Sequence, residues 1–165
     1  MKRLILLFAL AGTAALVSAG AAIGHSAHAA SAAVVVKTRQ TKYGTILVNG
    51  SGKTLYLESG DKPPHFACTG GCLQAWPALK ATGPLKAQGA AKQSALGSTK
   101  DGSFKIVTYN GHPLYTFASD SGTAITGENT NGFYVVSAGG SKVTHATTVT
   151  TTTTSSTTSS GGYKY

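Results

Sequence analysis

Short apolar runs rich in β-branched and aromatic residues recur along the chain, at Val34–Thr38, Thr45–Val48, Thr54–Leu57, Phe104–Tyr109, Leu114–Ala118 and Phe133–Ser137. Runs of this length and composition predict strands. Asn49-Gly50, Asp101-Gly102, Asn110-Gly111 and Asn131-Gly132 punctuate them, and such pairs suit the positive-φ positions of tight hairpins. Only Cys72–Trp76 and Ala87–Leu96 suit a helical turn or two. Pro77 stops the first, and Gly89 weakens the second. The pattern predicts a small all-β domain with short helical turns.

The strand pattern repeats. Ile46-Leu47-Val48-Asn49-Gly50 leads through Ser51-Gly52 to Lys53-Thr54-Leu55-Tyr56, and Val107-Thr108-Tyr109-Asn110-Gly111 leads directly to His112-Pro113-Leu114-Tyr115. Aligned on their Asn-Gly turns, the copies differ by two loop residues. Each then reaches an aspartate five residues past its tyrosine: Asp61 after Tyr56, Asp120 after Tyr115. One hairpin cannot bury enough surface to stand alone, so two related hairpins predict one pseudo-symmetric β-domain.

The ends differ from the middle. Lys2 and Arg3 precede an apolar run from Leu4 to Val17, and Ala27-His28-Ala29 closes the segment. This is the layout of an export signal, cleaved at or near Ala29. From Thr147 to Ser160 there are nine Thr, four Ser and one Val. Such a stretch has almost nothing to bury and predicts a disordered tail. The expected organisation is a signal peptide over 1–29, an N-terminal segment over 30–42, a tandem-repeat β-domain over 43–144 and a Thr/Ser-rich tail over 145–165. No membrane span is expected after cleavage.

Charge narrows the partners. In 165 residues, Lys+Arg number 14 and Asp+Glu number 5. The basic residues are scattered, with no dense run to track a phosphate backbone, which argues against nucleic acid. Diffuse positive charge outside the cell points to anionic cell-wall polymers or another envelope protein as partner.

Few residues promise chemistry. Gly50-Ser51-Gly52-Lys53-Thr54 imitates a phosphate loop, but Leu47 stands where the pattern needs glycine, and a strand follows the lysine rather than a helix. Cys68 and Cys72 are the only cysteines, and in an exported chain such a pair is by default a disulfide. The alternative adds His65, making a His-x2-Cys-x3-Cys set for copper or zinc, or a thiol-redox couple. Tyr115 and Asp120 lie five apart, on opposite faces of a continuous strand, so they cannot form a same-face catalytic pair. Asp120 is expected in the following turn, accepting backbone amides, while Tyr115 and Phe117 pack on the core. His112 is expected in an exposed hairpin loop. No Gly-x-Ser-x-Gly, His-Glu-x-x-His or close carboxylate pair occurs. The expectation is a non-enzymatic binding or structural module without a cofactor.

The run Ile106-Val107-Thr108-Tyr109-Asn110-Gly111-His112-Pro113-Leu114-Tyr115-Thr116-Phe117-Ala118-Ser119-Asp120 resembles the second repeat of a bacterial family. That family is the secreted repeat, or predicted lipoprotein, with a Yx(FWY)xxD motif. Tyr43–Leu47, Thr54–Tyr56, Cys68–Cys72 and Trp76–Leu79 resemble its first repeat, and Gly132–Val136 its closing strand. The resemblance implies an extracellular or cell-envelope β-protein, with Tyr56, Asp61, Trp76, Tyr115, Phe117 and Asp120 as motif residues, and implies no activity. Three departures stand out. No lipid-attachment cysteine is present, Glu58 replaces the aromatic of the first motif, and the Thr/Ser tail lies outside the family pattern.

Overall fold

The computed structural model describes residues 31–144. The export-signal segment and the Thr/Ser-rich stretch lie outside the described residues. β1 (Val34–Thr41) and β2 (Gly44–Asn49) form an antiparallel hairpin, and β4 (Leu85–Ala87) adds parallel to the other edge of β1. β5 (Leu96–Asp101), β6 (Phe104–Tyr109) and β7 (His112–Pro113) form a second antiparallel sheet. β3 (Tyr56–Glu58) pairs with β8 (Phe133–Val135). One short helix, α1 (Cys72–Ala75), and a 3-10 turn at Gln93–Ala95 complete the described residues.

Backbone hydrogen bonds reveal the repeat more sharply than the sequence does. In the first copy the Leu55 amide donates to Leu47, Leu47 to Val136, and Val136 to Leu55. In the second, Leu114 donates to Val107, Val107 to Leu79, and Leu79 to Leu114. The third member of each triangle comes from the other repeat: Val136 ends the second copy and completes the first, and Leu79 ends the first and completes the second. The copies therefore exchange their closing segments. Tyr56 and Tyr115 lie where they meet, and each amide donates to the other's carbonyl at 2.9 Å. Separating the repeats would break both triangles and the β3–β8 pair, which is why this chain forms one unit.

The same bonds correct the alignment. The Asn49 amide closes its turn by donating to the Lys53 carbonyl, whereas Tyr109 pairs with His112. Asn49 thus corresponds to Tyr109, not Asn110, and the first loop is longer by one residue rather than two. The two Asn-Gly pairs also do different work. Asn110 (φ 48°) and Gly111 (φ 81°) make the tight turn, as the dipeptide requires. Asn49 instead ends β2, and its side chain accepts the Ser51 and Lys53 amides at 3.0 Å, leaving Gly52 to take the positive φ.

Other features differ from the sequence reading. The helical turn expected over Ala87–Leu96 shrinks to Gln93–Ala95, because β4 and β5 claim its ends. β5 carries Gly97, Ser98, Lys100 and Asp101 and has no apolar alternation; its pairing with β6 makes it a strand. The run from Leu114 does not continue as a strand, since at Tyr115 the chain leaves β6 to bridge Tyr56 and Ala78 of the first repeat. Tyr43 lies in the β1–β2 turn.

Successive residues of β2 serve two cores. Leu47 packs with Val36, Leu55, Val107, Tyr109 and Leu114, while Ile46 and Val48 pack with Tyr56, Trp76, Tyr115 and Phe133. Period-two alternation sends them to opposite faces, and both faces are covered. The second core contains the motif.

Candidate functional site

The motif tyrosines and aspartates pair across the repeats. The Tyr56 hydroxyl donates to Asp120 Oδ2 at 2.7 Å, and the Tyr115 hydroxyl donates to Asp61 Oδ2 at 2.7 Å. Both tyrosines are fully buried, and the aspartates nearly so. The second carboxylate oxygen of each aspartate holds its own downstream loop six residues on. Asp61 Oδ1 accepts the Ala67 amide at 2.7 Å, and Asp120 Oδ1 accepts the Thr126 amide at 2.8 Å and hydroxyl at 2.7 Å. Tyr115 does not meet Asp120. The partner sits in the other copy, which strand periodicity within one copy cannot reveal.

These pairs set the tyrosines' chemistry. Burial pushes both phenols well above their ordinary range, and the aspartate that accepts each hydroxyl adds to the shift. Each phenol stays a neutral donor at physiological pH and is a poor proton source. A charge-assisted bond of this kind is worth roughly 1.5–3 kcal/mol, and leaving such a carboxylate buried without its donor costs more.

Around the pairs stands a stack of rings. Trp76 lies parallel to Phe133 at 3.8 Å and 2°, and Phe117 covers the other face of Trp76 at 4.3 Å and 26°. Tyr56 meets Trp76 edge-on at 5.3 Å, and Tyr115 meets Phe133 edge-on at 5.4 Å. Pro77 stops α1 where Trp76 enters this core. Gly127 closes the edge of the stack, and a Cβ there would stand 2.6 Å from the indole, so only glycine fits.

Trp76 and Phe133 are counterparts. The Ala118 amide donates to Ala75 and the Ser59 amide to Gly132, which sets Phe117 across from Trp76 as Glu58 is set across from Phe133. Directly opposed residues on paired strands share a face. In the second copy that face is filled by the Phe117 ring. In the first, Glu58 supplies no ring, and a cleft of about 240 Å³ opens beside Glu58, Phe133, Trp76, Asn131 and the Cys68–Cys72 bridge. Glu58 is its only charged lining residue. Its Oε2 accepts the Gly60 amide at 2.6 Å. Burial raises its carboxyl above the usual range, with Asp61 adding to the rise and the Gly60 and Asp61 amides opposing it.

Cys68 and Cys72 are joined as a disulfide, with Cα atoms 5.3 Å apart, and form one wall of this cleft. The bridge closes the loop that leads into α1 and Trp76. While bridged, the two sulfurs are not available as thiolate ligands beside His65. His65 is exposed and pairs through its backbone with Lys62. His112 is exposed at the start of β7. Among the described residues no cluster of three His, Cys, Asp or Glu is placed to hold a metal.

The described fold is thus an interlocked pair of β-repeats with a one-sided aromatic cleft. A family model described as a secreted repeat of unknown function matches residues 37–80 and 96–136. The chain belongs to that family of secreted repeats, and the two matched segments are the two copies seen in the structure. No curated protein and no solved structure matches the chain.

Proposed function

We propose that this secreted protein is a non-enzymatic module that adheres to anionic polymers of the cell envelope. The observation that carries the reading is the sorting of charge. Among the described residues no carboxylate is fully exposed: Asp61 and Asp120 are buried in the tyrosine pairs, and Glu58, Asp101 and Glu128 are half-buried. Lys42, Lys62, Lys80, Lys86, Lys92, Lys100, Lys105 and Lys142 are exposed. A surface whose exposed charges share one sign attracts polyanions without a shaped site. The residues best suited to acid–base chemistry are consumed in joining the repeats, which supports a role in binding rather than turnover.

Co-sedimentation of the full chain with purified cell-wall fragments tests this. Binding is expected in low salt and is expected to fall steeply as sodium chloride rises from about 0.05 to 0.5 M, where exposed charges are screened. Removing the anionic polymers from the wall is expected to abolish it. Salt-insensitive binding, or equal binding to stripped wall, contradicts the proposal.

A further inference from the structure

We propose that a second cleft, lined by Ser59, His112, Ser141 and Lys142, is a site for a phosphate group. It has a volume of about 320 Å³. All four of these residues are exposed, so the cleft presents them to solvent rather than sealing them off. Among the described residues the two hydroxyls and the imidazole make no hydrogen bond, and each can donate one. The Lys142 ammonium stands over the Tyr134 ring, 4.8 Å from its centroid. The ring holds that charge in place without neutralising it. No carboxylate lines this cleft, whereas Glu58 lines the other. Four unengaged donors, one of them a fixed cation, with no acid among them form a lining suited to an anion.

The turns that carry the donors are fastened. Asn110 Nδ2 donates to the Gly139 carbonyl at 2.8 Å, and the Tyr109 hydroxyl donates to the Ala138 carbonyl at 3.0 Å. These bonds tie the turn before Ser141 to the hairpin that leads into His112. Gly140 takes a φ of 90°, and a Cβ there would collide with Asn110. The Ser141 amide donates to the Ser137 hydroxyl at 3.2 Å, and the Ser59 amide donates to the Gly132 carbonyl at 2.9 Å. Donors held on fastened turns cost little to order when a ligand arrives. They come from three separate segments, which suits a tetrahedral group with oxygens in several directions better than a planar carboxylate. Leu57, the apolar lining residue, is only 3% exposed, so the cleft reads the phosphate and not what carries it. A phosphodiester of a wall polymer and a free phosphate present the same oxygens. Co-sedimentation with wall reads the whole lysine surface, while small probes read this cleft, so adhesion and the phosphate site can each fail without the other.

The probes are inorganic phosphate, glycerophosphoglycerol as a phosphodiester, and acetate, each titrated into the full-length protein at low salt and followed by amide NMR shifts. Saturable shifts at Ser59, His112, Ser141 and Lys142 are expected for phosphate, with a dissociation constant on the order of 1 mM. Acetate is expected to bind at least about 5-fold more weakly. Lys142→Gln is expected to weaken phosphate at least about 3-fold, and so is the pair Ser59→Ala with Ser141→Ala, which changes no charge. These side chains are exposed, so the variants are expected to melt at the temperature of the parent. Lys42→Gln and Lys86→Gln, outside the cleft, are expected to leave phosphate binding unchanged. Glycerophosphoglycerol binding within about 3-fold of phosphate assigns the site to polymer phosphodiesters, and phosphate binding alone assigns it to free phosphate. Either result supports the site. Saturation by neither probe, acetate binding as tightly as phosphate, or equal weakening by Lys86→Gln and Lys142→Gln would each overturn it.

Discussion

The two motif loops share a backbone and diverge in one side chain. After Tyr115 the second loop sends Phe117 onto Trp76, and its core is closed. After Tyr56 the first loop sets Glu58 across from Phe133, and a cleft lies beside it. The loops that follow are also secured differently. Asp120 holds its loop through both the amide and the hydroxyl of Thr126, whereas Asp61 holds only the Ala67 amide and the Cys68–Cys72 bridge constrains the rest. Duplication thus supplies the frame, and the frame tolerates one copy being specialised because the other completes its sheet.

The largest effect that sharpens this comparison belongs to the aspartates. Asp120→Ala leaves the Tyr56 hydroxyl buried without its acceptor and frees Thr126; a loss of roughly 3–5 kcal/mol in urea unfolding is expected. Asp61→Ala is expected to cost less by roughly 1 kcal/mol, the worth of one hydrogen bond, because it has no counterpart of the Thr126 hydroxyl. Equal losses would mean that the copies are tied equally.

Alkaline pH gives the next effect. Both motif phenols titrate higher when folded than when unfolded. Their contribution is complete below the unfolded value of about 10 and is lost as pH rises beyond it, at up to about 1.4 kcal/mol per pH unit for each tyrosine. Unfolding measured between pH 9 and about 11.5 is expected to show the slope of two such groups, and Tyr56→Phe that of one. An unchanged slope in Tyr56→Phe would place the titration elsewhere.

Replacing both cysteines by serine is expected to cost about 2 kcal/mol, because so short a loop restricts the unfolded chain only modestly. The loss is expected in the first copy alone, seen as faster amide exchange over 67–75 with the 121–132 loop unaffected. Glu58→Phe is the smallest effect and has the opposite sign. Extending the ring stack is expected to stabilise the protein by about 0.5–1.5 kcal/mol, read as a rise in melting temperature.

Much of the frame was legible in the sequence. The β-branched runs, the Asn110-Gly111 turn and the duplicated tyrosine–aspartate spacing all predicted paired hairpins, because strand period and turn chemistry are local. What stayed hidden was relational. β5 is polar and becomes a strand only by pairing with β6. Asn49-Gly50 looks like Asn110-Gly111, yet its asparagine caps a longer loop through its side chain. The exchange of Val136 and Leu79 between copies leaves no mark in either copy alone. Glu58 was visible as a departure at the motif's aromatic position, but that it opens a cleft follows only from its place across from Phe133.

A double-mutant cycle on the buried pairs tests the interlocked arrangement most directly. Tyr56→Phe is combined with Asp120→Asn in one cycle and with Asp61→Asn in another, and unfolding free energies are compared. Cross-repeat pairing predicts a coupling of roughly 1.5–3 kcal/mol in the first cycle and a much smaller one in the second. Strong coupling of Tyr56 with Asp61, and additivity with Asp120, would show that each copy keeps its own pair and would contradict the exchange.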